Sequence, residues 1–170
     1  MASGAYPSLF EPVIIDDRYY IDGGVVNNFP VRAMKERGID LVIGVDLGIW
    51  SERLFQIMKH FDKACAGVDY VFCSDVYLQE INQKFLGKDY LTDVIGFDLS
   101  EDNALRAEIY ISLERIRDNA KKFSVTFDLE LARVMIHGLL HMFGFDDHTA
   151  EDKNRMQEEE SRWLKEFKLL

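Results

Sequence analysis

The segment from Thr126 to Gly144 constrains the fold more than any other part of the chain. Thr126 is suited to cap a helix, and Gly144 to stop one. Between them Val134, Met135, Ile136, Leu139, Leu140, Met142 and Phe143 fall on every side of the helix. A helix that is apolar all round must be buried, so the rest of the domain has to enclose it. Yet it carries His137 and His141, spaced i and i+4, so that both leave one face a turn apart. His148 follows after the helix stop, where the chain can fold back. Three of the four histidines thus lie within twelve residues.

Buried imidazoles need partners, and a divalent cation provides one. Three imidazoles with one open position make the tetrahedral arrangement of a catalytic zinc site. The spacing therefore points to metal binding by His137, His141 and His148. The competing reading, histidines hydrogen-bonded within a core, suits one such residue better than three. Gly138 stands where the His-Glu-x-x-His motif has its general-base glutamate. That disfavours peptide hydrolysis and favours chemistry in which a metal-bound hydroxide is itself the nucleophile.

Around this helix the periodicity predicts a mixed α/β (α+β) fold, a small mixed sheet with a buried central helix carrying the histidines. Val13–Ile15 and Tyr19–Ile21 read as a hairpin, Pro30–Arg37 as a helix and Leu41–Leu47 as a buried strand. A helix is expected from Ser51 to Ala64, a strand over Asp69–Cys73 and a short helix from Ser74–Asp75 to Lys84. Strands Thr92–Leu99 and Ala107–Ser112 should pair through the loop 100–103. Helices follow from Ser112 or Leu113 to Phe123, Phe127 to Phe143 and Ala150 to Phe167. Trp163, Leu164 and Phe167 should pack the last helix down, leaving Glu158-Glu159-Glu160 as a solvated face or a partner surface.

All three prolines, Pro7, Pro12 and Pro30, lie before residue 50, and most of the early glycines lie there too. This composition shift puts a boundary near Trp50. The 170 residues then read as a fragment, 1–50, and a domain, 51–170. No apolar run is long enough to span a membrane, and the start lacks the features of a secretory signal. Two cysteines make no disulfide framework, so a cytoplasmic location is the simpler expectation. The net charge of −10 argues against broad, sequence-blind nucleic-acid binding but leaves room for a local site where a metal meets phosphate.

From Tyr70 to Trp163 the sequence resembles the YbeY-type rRNA maturation endoribonucleases. The resemblance rests on His137-Gly138-Leu139-Leu140-His141 with its Gly-Phe-Asp turn, and on Val71–Asn82. It rests also on Gly87-Lys88-Asp89-Tyr90-Leu91-Thr92-Asp93-Val94-Ile95-Gly96-Phe97 and on Ala107–Ser112. It implies a zinc-dependent (Zn2+) endonuclease of single-stranded RNA acting on an rRNA precursor, with the ribosome as a further partner. His137, His141 and His148 would be the ligands and catalytic residues, and a metal-bound water the nucleophile. Three positions depart from the pattern. Six residues separate His141 from His148 where the family usually has five, which puts Asp147 in the usual place as an alternative ligand. Leu86 stands where many members have an arginine that serves the RNA phosphate, and Gly96 where many have serine. Lys88 and Arg133 are the nearest basic candidates for phosphate, although solvated surface charge is the ordinary reading of each. If RNA is the substrate, a local basic groove beside His137 and His141 is expected.

Residues 1–50 resemble the C-terminal part of the patatin-like phospholipase domain, through Tyr6-Pro7, Phe10-x-Pro12 and Asp22-Gly23-Gly24-Val25-Val26-Asn27-Asn28. In that family the aspartate corresponding to Asp22 activates a serine in Gly-x-Ser-x-Gly, which this chain lacks. A dyad with one member has no nucleophile, so an acyl hydrolase fragment inactive alone is the first competing hypothesis. A non-catalytic metal-binding module is the second. Leu41–Leu47 and the helix after it have the order of the strand and helix missing from the YbeY-like part. They are expected to supply them, with the strand pairing beside Val71.

Overall fold

The computed structural model describes residues 13–15, 18–20, 47–100 and 104–170. It divides into two compact units, Met1–Glu52 and Arg53–Leu170. In the first, β1 (Val13–Ile15) and β2 (Arg18–Tyr20) pair antiparallel with Ile14 opposite Tyr19, forming the expected hairpin. The expected helix Pro30–Arg37, the turn at Asp22 and the strand over Leu41–Leu47 lie outside the described residues, except Leu47, which begins a helix.

That helix, α1, spans Leu47–His60, so Ser51 lies inside it rather than capping it. Leu54, Ile57 and Met58 are its buried face, at the spacing of one helical stripe. Asp62, at φ 53°, turns the chain out of the helix. The strand β3 (Ala64–Cys73) starts five residues before its expected position, because its exposed first half lacks the apolar pattern that marks a strand. Ser74 caps α2 (Asp75–Ile81) by accepting from the Tyr77 amide. The expected single helix to Lys84 instead loosens into a π-helical turn, Asn82–Leu86, which ends at Gly87 with φ 65°. β4 (Val94–Asp98) and β5 (Ala104–Ser112) pair antiparallel, with Gly96 opposite Ile109. β3 pairs parallel with β5, so the described sheet is mixed and ordered β3-β5-β4.

The helices α3 (Leu113–Phe123), α4 (Phe127–Met142) and α5 (Ala150–Glu166) follow the sequence reading closely. Each begins at a side chain that accepts from the first turn: Ser112, Thr126 and Thr149, the last in a reciprocal capping box with Asp152.

Alternation on β5 divides the core. Leu105, Ala107, Ile109 and Ile111 point to one face and are buried. Gly138 of α4 meets that face: a Cβ there would stand 2.8 Å from Ile109 Cγ2 and 3.1 Å from Val94 Cγ2. Glycine is required because the helix backbone lies against the strands. Tyr110 points to the opposite face and joins Leu78 and Ile81 of α2, Cys73 and Ile95. The Tyr70 hydroxyl, buried in β3, donates to the Met135 carbonyl at 2.9 Å and ties sheet to helix. α4 is thus the buried central helix that the apolar pattern requires, with Val134, Met135, Ile136, Leu139 and Leu140 fully enclosed.

Candidate metal centre

Glu130, Arg133, His137 and His141 recur on α4 at steps of three and four, forming a polar stripe on an otherwise buried helix. α5 faces it with Met156, Glu160, Trp163 and Leu164, all buried. The carboxylates of Glu130 and Glu160 have been taken from water, so each needs charged partners. Arg133 supplies them. Its Nε and Nη2 donate to Glu130 at 2.9 and 2.7 Å, and its Nη1 to Glu160 Oε2 at 3.3 Å. Asp93, leading into β4, lies 3.8 Å from the same guanidinium. Burial works against the Arg133 charge, but the Glu130 hydrogen bonds and the charges of Glu160, Glu130 and Asp93 outweigh it and hold its pKa above the arginine range.

The other oxygen of Glu160 lies 2.6 Å from Nδ1 of His137. Nδ1 of His141 lies 2.9 Å from the Phe145 carbonyl, which Gly144, at φ 82°, turns back onto the helix end. Both partners are acceptors, so both Nδ1 atoms carry the proton and both Nε2 atoms present lone pairs. Those two Nε2 atoms are 3.0 Å apart. Burial, then the neighbouring His137, lowers the His141 pKa, which favours the neutral imidazole that metal binding requires. Two lone pairs facing each other are unfavourable alone and suit a shared cation. The donor set therefore fits a divalent metal that prefers nitrogen and carboxylate oxygen.

Asp147 completes the group. Ligand atoms of His137, His141 and Asp147 lie within 4.8 Å of one another, all on half-buried residues. His148, the third ligand expected from spacing, is not in that group. Its side chain is 77% exposed, with Nε2 3.4 Å from Asp146 Oδ1, and it clusters with Asp146 and Asp147 instead. The chain reversed at Gly144 brings Asp147 within reach of the two imidazoles, while His148, one residue further on, stays in solvent against Asp146 and Asp147.

A cavity of about 530 Å³ opens beside the cluster, lined among others by Asp93, Glu130, His137, Asp147, Lys153 and Glu160. It is not the basic groove expected from the sequence. Arg133 also lines it, but its guanidinium is committed to carboxylates rather than presented to phosphate. Lys88 has its ammonium 5.8 Å from the Tyr90 ring and is not part of this lining. Sequence reasoning missed Glu160 by taking it with Glu158 and Glu159 as a solvated run. The available signal was its spacing: residues 156, 160, 163 and 164 fall on one stripe, and Glu160 is the acid within it.

A family model described as Endoribonuclease YbeY matches residues 46–168, and one described as Patatin-like phospholipase matches residues 1–35. Endoribonuclease YbeY of Flavobacterium psychrophilum is 48% identical over 106 residues, covering 62% of this chain and 76% of that protein. Endoribonuclease YbeY of Flavobacterium johnsoniae is 42% identical over 100 residues, covering 59% and 72%. The solution structure of TM1509 from Thermotoga maritima superposes with a TM-score of 0.54 at 33% identity, covering 71% of this chain and 80% of that one. The chain, with its sheet, buried helix and histidine pair, belongs to the Endoribonuclease YbeY family of hydrolases.

Proposed function

We propose that this chain is a zinc-dependent endonuclease of single-stranded RNA that acts in rRNA maturation in the cytoplasm. The observation that carries the metal half is the pair of Nε2 lone pairs 3.0 Å apart, both Nδ1 protons being committed to acceptors. His137 and His141 are two ligands. Asp147 is the third in this reading, supported by its carboxylate lying within 4.8 Å of both imidazole donors. Spacing alone favours His148, and substitution separates the two. His137, His141 and Asp147 would hold the zinc ion, which would supply Lewis-acid activation of water toward a phosphodiester.

The chain's own residues prepare the site. Glu160 orients the His137 ring and fixes its tautomer, and Arg133 holds Glu160 and Glu130 in place. The Phe145 carbonyl does for His141 what Glu160 does for His137. Carboxylates dominate the cavity lining, so a divalent cation held there would be needed to make the local field favourable to phosphate. RNA is the partner this reading takes from the relatives' name, and the rRNA precursor and the ribosome are what the resemblance to the family implies.

We also propose that residues 1–50 form a separate patatin-like fragment, without a nucleophile, beside the catalytic domain 51–170. The absence of Gly-x-Ser-x-Gly from the sequence supports inactivity toward acyl esters. Both cysteines are free thiols, which suits a reducing compartment, and no described helix is long and apolar enough to cross a membrane.

The test is zinc content of the purified chain together with cleavage of an unstructured RNA, in wild type and His137→Ala. Close to one zinc per chain, lost with cleavage in the variant, is expected. Full metal occupancy with a fourth protein ligand and no cleavage would instead favour a structural metal module.

A further inference from the structure

The turn that ends α4 prepares two parts of the metal centre at once. The Gly144 amide donates to the His141 carbonyl at 3.0 Å, and the Phe145 amide to the Leu140 carbonyl at 3.2 Å. These are the paired bonds that close a helix around a left-handed residue, here Gly144 at φ 82°. The reversal has two results. The Phe145 carbonyl accepts from Nδ1 of His141, and Asp147, two residues further on, comes to lie with both imidazoles. Yet Gly144 is exposed, and helix ends fray. Whatever holds this turn holds the tautomer of one histidine and the place of the carboxylate.

Phe61, from the far end of the sequence, meets the turn on both sides of its glycine. Its ring stacks on Phe143, with centroids 4.5 Å apart and planes 21° from parallel. It also stands edge-on to Phe145, with centroids 5.6 Å apart and planes at 72°. All three rings are half-buried. Stacked and edge-on pairs have preferred angles as well as distances, so one ring in both geometries resists rotation as well as lifting. Phe61 is itself fixed. It follows α1 directly, and its amide donates to the carbonyl of the fully buried Ile57 at 3.2 Å. The ring of His60 lies edge-on between Phe61 and Trp163 of α5, at 5.0 and 5.5 Å. α1 contributes no ligand atom to the metal cluster, yet its end is anchored to the turn that shapes it.

We infer that Phe61 is a positioning residue for the metal centre. Its ring locks the turn Phe143–Phe145, so that the Phe145 carbonyl fixes the His141 tautomer and Asp147 is delivered to the histidine pair. This deepens the proposed function and rests on it for the metal. Glu160 orients His137 from α5, and Phe61 orients His141 from the end of α1, through the turn.

The test compares the full chain as wild type, Phe61→Ala, Phe61→Tyr and Leu54→Ala. Leu54 is buried on α1 about two turns before Phe61 and controls for general loss of stability. One readout needs no metal: the His141 tautomer at a pH of about 8, where imidazole is neutral. Two-bond proton–nitrogen correlation spectra give it, with His141→Gln assigning the signals. The other is zinc affinity by competition with a chelator, below the melting temperature of every variant. Wild type should show His141 protonated on Nδ1. Phe61→Ala should mix the two tautomers and weaken zinc binding about tenfold. Phe61→Tyr, which keeps the ring, should restore both, and Leu54→Ala should leave both as in wild type. Should Phe61→Ala not fold, Phe61→Leu, apolar but without a flat ring, takes its place with the same expectations. A single Nδ1–H tautomer and unchanged affinity without the ring overturn the proposal. So does an equal loss in Leu54→Ala, which would make Phe61 an ordinary core residue. If wild type binds no zinc but its His141 tautomer depends on Phe61, the metal reading fails and the lock on the turn stands. If zinc binds equally with and without the ring, the lock fails and the metal reading stands.

Discussion

Glu160 Oε1 lies 2.6 Å from Nδ1 of His137, joining the buried face of α5 to the histidine stripe of α4. This contact settles which nitrogen of His137 is free, because a carboxylate can only accept. It also links the histidine to Arg133 and Glu130, so that three side chains from two helices hold one imidazole in register. The buried acids are therefore part of how the metal centre is oriented.

Replacing Glu160 by glutamine keeps the size and leaves an oxygen to accept from His137, but removes the charge that polarises the ring and holds Arg133. Metal affinity should fall by about tenfold to a hundredfold, the usual cost of losing such an outer partner. Competition with a chelator on folded protein measures it. Unchanged affinity would mean that Glu160 serves only to pair Arg133.

Asp147 and His148 make opposite predictions as third ligand. Asp147 lies with His137 and His141, whereas His148 is largely in solvent. Asp147→Ala should therefore lose most bound metal, and His148→Ala should keep it within a factor of a few. Metal analysis after dialysis reads both. The reverse result would restore the ligand set expected from spacing, and would require the loop after Gly144 to rearrange around the ion.

What was legible in the sequence were features with a strict period or a strong local signal. The buried helix followed from residues apolar on all sides, and its start and stop from Thr126 and Gly144. The helices α3, α4 and α5 were legible from their apolar spacing, α4 also from its cap Thr126. β3 was read too short because residues 64–66 are exposed and carry no alternation. Only the start of the π-helical turn, residues 82–84, was read as helix, and its continuation through Phe85 and Leu86 was not seen. The histidine pair was legible from i, i+4 spacing. Spacing offered His148 as third partner with Asp147 as the alternative; a loop residue's direction depends on the turn at Gly144, and there Asp147 lies with the pair. Glu160 was hidden because its partners lie on another helix, and Arg133 was read as surface charge although Glu130 stands three residues before it on the same helix.

The two thiols should separate by reactivity. Burial pushes the Cys73 thiol up to about 12, with Asp75 and Glu114 adding to the shift, while Cys65 is exposed at the start of β3. Burial also raises Cys65, against a hydrogen bond from the Gly67 backbone. At pH 8 iodoacetamide should label Cys65 slowly and leave Cys73 unmodified until the chain is denatured. The raised pKa fixes the sign of the stability effect. The neutral Cys73 thiol is favoured in the fold, so its contribution is complete below the ordinary thiol value of 9.0 and is lost as pH rises toward about 12. Peptide mapping after labelling, and melting between pH 8 and 11, check the two halves. Equal labelling of both cysteines in native protein would contradict the burial of Cys73.

Gly138 and Gly96 lie near the same helix–sheet contact but should respond differently to alanine. At Gly138 the added methyl would meet the branched Ile109 Cγ2 at 2.8 Å and Val94 Cγ2 at 3.1 Å, both held by the sheet. Neither can swing away, so α4 itself must lift. Overpacking of this kind costs about 1–3 kcal/mol, and alanine's advantage over glycine in a helix returns only about 1 kcal/mol of it. Lifting α4 also moves His137 and His141, on either side of the contact, so Gly138→Ala should lose zinc affinity as well as stability. At Gly96 the added methyl would meet Met142 Cε at 2.7 Å, the mobile end of an unbranched side chain. Gly96→Ala should therefore leave both properties nearly unchanged. Thermal melting and zinc titration of the two variants side by side give the comparison. Equal loss in both would mean that the helix is not seated on the sheet at Gly138.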